Sequence, residues 1–89
     1  MTGSTTKNFK RHFDKLPLRI QKRARRSLFI WLNDPLYPSL LFKKLFDRKP
    51  FWSIRVTRNY RVIGYLKNDH IYWFWIGDHD DYERMLIRL

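Results

Sequence analysis

The sequence predicts an α+β domain: an N-terminal helical hairpin packed on a four-stranded, mainly antiparallel sheet, closed by a short C-terminal helix. Three observations carry that reading. Apolar residues recur at helical spacing up to Asn33, two runs after Phe51 alternate in character, and Ile71-Tyr-Trp-Phe-Trp-Ile76 is apolar without a break. The chain has 89 residues and no cysteine, so it is one small domain that no disulfide or thiolate metal site can staple. Packing must hold it, and a content of 44% hydrophobic and 18% aromatic residues provides large buried area at low side-chain entropy.

Residues 1–6 are small and polar and read as a disordered lead-in to a single domain spanning 7–89. Phe9, Phe13 and Leu16 fall on one face of a first helix starting at Lys7. Pro17 ends that helix or opens the next, because its fixed φ suits a first helical position. Ile20, Ala24, Ser27, Leu28, Trp31 and Leu32 continue the period to Asn33, where Asp34-Pro35 breaks it. After the connector 35–39, Leu40–Phe46 suits helix or strand, and its place before a hairpin-rich region favours a strand. Strands follow at Phe51–Thr57 and Tyr60–Leu66, joined by Arg58-Asn59. Lys67-Asn-Asp-His70 is a turn by composition. Ile71–Ile76 lacks polar alternation, as expected of a central strand covered on both faces. Gly77 ends it, Asp80 and Glu83 have the spacing of a capping box, and a last helix spans Asp81–Arg88.

Nineteen Lys and Arg against eight Asp and Glu give a formal charge of +11. That exceeds the magnitude of about 2–8 that solubility asks of a small domain and favours a polyanionic partner, nucleic acid first. No apolar stretch approaches the roughly 18 residues of a membrane span, and the N-terminus has no signal-peptide apolar region. The expected compartment is therefore the cytoplasm.

Period two puts Ser53, Arg55 and Thr57 on one strand face, opposite Trp52, Ile54 and Val56. Arg61 opposes Tyr60 and Val62, so Arg55 and Arg61 can share a face with Arg58 beside them. Each arginine could equally be solvated, but together they suit phosphate, which guanidinium grips in two places. His79 follows the most apolar strand. It is either a loop residue paired with a carboxylate or a proton carrier, since imidazole titrates near about 6.5. Tyr82 either packs the last helix or meets nucleotide by stacking or hydroxyl donation. The run Gln21-Lys-Arg-Ala-Arg-Arg26 makes Lys22, Arg23, Arg25 and Arg26 either a solvated face or an RNA contact. No two histidines have metal-ligand spacing, so no metal or cofactor is expected; His12 and His70 lack a comparable setting.

From Lys7 onward the chain resembles the RelE/ParE superfamily of small bacterial toxins from toxin–antitoxin pairs. The carrying residues are Ile54-Arg-Val-Thr-Arg-Asn-Tyr-Arg-Val62 and Gly77-Asp-His-Asp-Asp-Tyr-Glu-Arg84. The nearest likeness is to RelE-like and HigB-like (host-killer) ribonucleases. That resemblance implies the same α+β fold and a catalytic set of Arg55, Arg61, His79 and Tyr82, with Arg58 and Asp80 as auxiliaries. It also implies metal-independent cleavage of mRNA on the ribosome by 2′-hydroxyl attack, and an acidic antitoxin that folds on the basic surface. ParE-like members share the fold but act on DNA gyrase by protein binding, which is the alternative activity.

Overall fold

The computed structural model describes residues 1–89. In chain order it has β1 (Thr2–Thr5), α1 (Lys7–Phe13), α2 (Leu18–Asn33), a 3-10 turn (Pro38–Leu40), β2 (Lys43–Lys44), β3 (Phe51–Thr57), β4 (Tyr60–Lys67), β5 (His70–Asp78) and α3 (His79–Arg88). The sheet has five strands in the order β1-β5-β4-β3-β2. The β1–β5 pair is parallel and the others antiparallel.

The fold class is as predicted, with one more strand. Residues 1–6 are not a disordered lead-in, because Thr2–Thr5 pair with His70–Trp73. Both ring nitrogens of His70 are hydrogen-bonded, to Thr2 Oγ1 at 2.5 Å and Ser4 Oγ at 2.8 Å. Gly3 is needed here, since a Cβ would stand 2.7 Å from Trp31 Cζ3. Beyond β1, α1 takes over the β5 edge, where Thr6 N–H donates to Trp73 O and Asn8 Nδ2 to Phe74 O.

Leu40–Phe46 is also not a strand throughout. Leu41 is left-handed (φ 46), which interrupts extended backbone and leaves β2 only two residues long. The apolar residues of this segment plug the core instead: Leu40 is buried, and Phe42 packs against Trp31 at 5.6 Å and Trp52 at 4.6 Å. Pro17 sits just before α2, its carbonyl accepting from Ile20 and Gln21 N–H. The Gln21 side chain in turn donates to Phe13 and Leu16 carbonyls at the end of α1.

The helices divide between the two faces of the sheet. α1 lies against β5 and α2 against β3, over Ile54, Val62, Ile71, Trp73 and Ile76. The opposite face carries α3, seated by Tyr82 on Ile63 and Trp75. Both Trp73 and Trp75 are buried although they belong to opposite clusters. The register explains this: Gly64 faces Trp73 and Ile63 faces Trp75, so Phe74 is an extra, bulged residue that inverts the strand's parity. Asp78, not the expected Asp80–Glu83 box, caps α3, its Oδ1 accepting from Asp81 N–H at 2.9 Å. The helix therefore starts at His79.

Candidate functional site

The register of three strands sets a row across one end of the sheet. Arg55 of β3 stands opposite Arg61 of β4, and Arg61 opposite Gly77 of β5. The two guanidinium-bearing residues thus share the face on which Ile63 packs α3. Like charges directly opposite destabilise a bare sheet, and none of the four ion pairs in the molecule involves either arginine. Arg61 is held firmly: its Nη1 donates to the carbonyls of Thr57 (2.9 Å), Tyr60 (3.2 Å) and Arg58 (3.3 Å). The other guanidinium nitrogens have no partner in the chain and are left for an anion. Partial burial, and then the neighbouring Arg55, lower the Arg61 pKa from its ordinary value, while Tyr82 opposes the shift.

Because β2 pairs only with Trp52 and Ser53, the outer edge of β3 beyond Ser53 is open. A cavity of about 460 Å³ occupies that gap, with Arg23 and Arg26 of α2 facing Arg55 and Arg58. Ser27, Leu40 and Val56 form part of its wall, Tyr37 stands at it, and no carboxylate lines it. A second opening, between Arg19, Lys22, Arg23, Arg26 and Thr57, continues it along α2. The helical phase explains the grouping. Ile20, Ala24, Ser27 and Trp31 are the buried stripe, and Arg19, Arg23 and Arg26 lie on one flank of it. Arg25 lies on the other flank, over the Phe13 ring at 4.9 Å, so the expectation that it joins the cationic surface at Arg23 and Arg26 is not met.

At the β5 end of the row, Tyr82 is only 6% exposed. Its ring packs on Trp75 at 6.4 Å and offers little open face to a nucleotide base. The hydroxyl is different. It has no partner in the chain and is not among the buried unpaired atoms, so it reaches solvent. Gly77 allows this packing, since a Cβ there would meet Trp75 Cζ2 at 2.5 Å. His79 is exposed and stacks beside Tyr82 at 6.3 Å between centroids. Its Nε2 is 3.4 Å from Glu83 Oε1. Glu83, and not Asp80, is therefore the carboxylate nearest to it. No three His, Cys, Asp or Glu side chains gather where a metal could be held.

Three residues that line cavities were not singled out from sequence. Arg19 and Tyr37 line the cationic openings. The helical phase carried the signal for Arg19, whereas Tyr37 sits in an irregular connector with no periodic signal. His12 lines a separate cavity of about 480 Å³ with Trp75, Asp81 and Arg84. Burial first, then Lys15 and Arg11, lower its pKa, while Asp81 opposes them. Nothing in the spacing of α1 announces a neighbour more than sixty residues away.

Comparison with known proteins agrees with this architecture. The family model described as the ParE-like toxin domain matches residues 18–84. No curated protein sequence matches the chain. Among solved structures, the RelB-RelE antitoxin-toxin complex from Methanococcus jannaschii superposes with a TM-score of 0.73 at 21% identity, covering 91% of this chain and 95% of that one. YafQ from E. coli gives 0.72 at 13% identity, with 90% and 94% covered. The toxin-antitoxin complex RelBE2 from Mycobacterium tuberculosis gives 0.70 at 21% identity, with 88% and 90% covered. At such identities the shared property is the fold.

Proposed function

The chain belongs to the ParE-like toxin domain family, with the fold of RelE and YafQ, and from that premise we propose that this toxin is a ribosome-dependent, metal-independent endoribonuclease that cleaves mRNA and stops translation. The observation that carries the reading is the in-register Arg55–Arg61 pair, unpaired with any carboxylate, on the face of the sheet where α3 seats Tyr82 with His79 beside it. Such a set suits a phosphodiester whose negative charge grows during reaction.

A base takes the 2′-hydroxyl proton of the nucleotide before the scissile bond, and the oxygen attacks the adjacent phosphorus. The bond to the 5′-oxygen breaks, and an acid protonates that leaving oxygen. The products are a 2′,3′-cyclic phosphate and a 5′-hydroxyl. Arg55 and Arg61 stabilise the charge that develops on phosphorus-bound oxygens, with Arg61 pre-positioned by its three carbonyl acceptors. His79, oriented by Glu83, carries the proton, and the Tyr82 hydroxyl donates to a phosphate oxygen. Arg23, Arg26, Arg58 and Lys22 hold neighbouring phosphates. We assign proton transfer to side chains.

The partner that silences such a surface is an acidic antitoxin segment folding upon it. Two of the similar structures are described as antitoxin–toxin complexes. No helix here is long and apolar enough to cross a membrane, and we assign action to the cytoplasm, where ribosomes and mRNA are found. A second reading, inhibition of DNA gyrase by protein binding, is favoured by the ParE-like description of the matching family.

Purified protein on mRNA-programmed ribosomes, in excess EDTA, tests the choice. The expected result is cleavage within the ribosome-bound codon, with a cyclic phosphate at the new 3′ end. Intact message alongside inhibited supercoiling by gyrase would overturn the ribonuclease reading in favour of the second.

A further inference from the structure

The α3 face of the sheet holds a second row, four residues along β3 from the arginines. Phe51 stands opposite Tyr65, and Tyr65 opposite Tyr72. Their rings follow one another at 6.3 Å and 6.2 Å between centroids, and His70 continues the line 4.5 Å from Tyr72. These are not core residues. Each is half-buried except Tyr72, which is 40% exposed. The ten-residue α3 is seated on Ile63 and Trp75; Phe51 is partly covered by Phe46 and Phe74, and the row opens to solvent toward Tyr72.

The surroundings of the row are cationic. Lys67, exposed, is two residues beyond Tyr65 on the same strand face and pairs in register with His70. At the Phe51 end, Phe46 packs on Phe51 at 6.3 Å, and Lys49 lies over the Phe46 ring at 5.1 Å while its ammonium donates to Leu89 O at 2.7 Å, so Lys67 is the cation the row has to itself. Asp69, the acid nearest in sequence, is engaged by the N-terminal ammonium of Met1 at 3.5 Å. Rings on adjacent strands of a sheet, bordered by Lys67 in a chain of charge +11, have the chemistry that takes unpaired bases on their faces and a phosphate on the flanking cation.

We propose that Phe51, Tyr65 and Tyr72, with His70 and Lys67, form a stacking platform for single-stranded RNA, distinct from the arginine row. It deepens the RNA reading given above by adding a place for bases upstream or downstream of the cleaved bond. The platform requires no cleavage, and this separates the two claims.

A fluorescent, short 2′-O-methyl oligouridylate is the probe, because blocking the 2′-oxygen removes the proposed reaction and leaves binding. Anisotropy with the full chain should show tighter binding of this strand than of the same sequence in a duplex. The double variant Tyr65→Ala/Tyr72→Ala should lose at least about tenfold in affinity, whereas Tyr65→Phe/Tyr72→Phe, which keeps both rings, should bind as wild type. Lys67→Glu leaves the rings untouched and should also weaken binding, which covers the case of an unfolded alanine pair. Equal affinity for duplex and single strand, or an alanine pair that folds and binds as wild type, overturns the platform. So does an alanine pair that keeps RNA affinity and loses the cognate antitoxin, since the row is then a protein-binding surface. Cleavage of ribosome-bound mRNA by the wild type decides the ribonuclease reading separately.

Discussion

The two faces of the sheet use aromatic and aliphatic residues to opposite ends. Under α1 and α2, Trp31, Trp73, Ile54, Val62 and Ile71 are sealed from solvent, and Trp31 meets Trp73 edge to face at 5.2 Å and 87°. Under α3, the buried hydrophobic cluster shrinks to Ile63, Trp75 and Tyr82, and much of the rest of that face, Arg55, Arg61, Tyr65, Lys67, His70 and Tyr72 among it, is half-buried or exposed polar and aromatic surface. One face therefore supplies stability, and the other spends surface on polar groups that stability alone does not ask for. A protein so divided should show stability and activity mutants that separate by face.

The largest effect should come from the sealed face. Trp73→Ala removes a buried indole that touches Trp31 and Phe42, and should cost about 3–5 kcal/mol. Urea unfolding monitored by circular dichroism measures it. A loss below about 1 kcal/mol would mean that the helix face is not where stability resides.

On the α3 face the separation should reverse. Arg61→Ala should slow cleavage by roughly 100- to 1000-fold, the scale of a lost transition-state donor. It should lower stability far less, because the carbonyls it leaves flank the exposed Arg58-Asn59 turn, and none is sealed in the core. Single-turnover cleavage on programmed ribosomes, with melts of the same samples, reads both. Cleavage at the wild-type rate would remove Arg61 from the site. His79→Ala should cost roughly 100-fold with little change in melting, since an exposed imidazole supports no core. Glu83→Gln should give a smaller loss of the same kind if Glu83 orients the ring. Full activity in His79→Ala would exclude it as the proton carrier.

Tyr82 lies where the two roles meet. Tyr82→Phe keeps the ring on Trp75 and removes only the hydroxyl, so stability should hold while cleavage falls about tenfold, the scale of one hydrogen bond to a charged group. An unchanged rate would leave Tyr82 a packing residue alone.

The difference between the faces also marks what the sequence could disclose. Period two in Phe51–Thr57 and Tyr60–Leu66 placed Arg55 and Arg61 together, because alternation is a local property of extended backbone. What depended on distant partners was not legible. β1 pairs with a strand some 68 residues away in sequence, and its Thr-Gly-Ser-Thr composition carries no apolar pattern. The Phe74 bulge inverts parity through register, which no run of six apolar residues announces. Glu83 displaced Asp80 beside His79 because Asp78 starts the helix two residues early, moving Glu83 to the i+4 position. Tyr82 had two possible roles in sequence, and only the seat of α3 on Trp75 separates its buried ring from its free hydroxyl.

The smallest effect is also the sharpest test of whether geometry or mere charge governs the cationic surface. Arg25 and Arg26 are neighbours on one helix, so each alanine substitution lowers the net charge equally. Arg26 lines both cationic openings, whereas Arg25 rests on Phe13 across the buried stripe. If phosphates sit in the groove, Arg26→Ala should reduce the slope of log affinity against log salt by about one. Arg25→Ala should leave that slope nearly intact and instead cost about 0.5–1 kcal/mol of stability through its lost ring contact. Titrations of the same oligoribonucleotide at several salt concentrations compare the two directly. Equal reductions in slope would mean that the chain binds RNA through its overall field, and that the convergence of Arg23, Arg26, Arg55 and Arg58 confers no site.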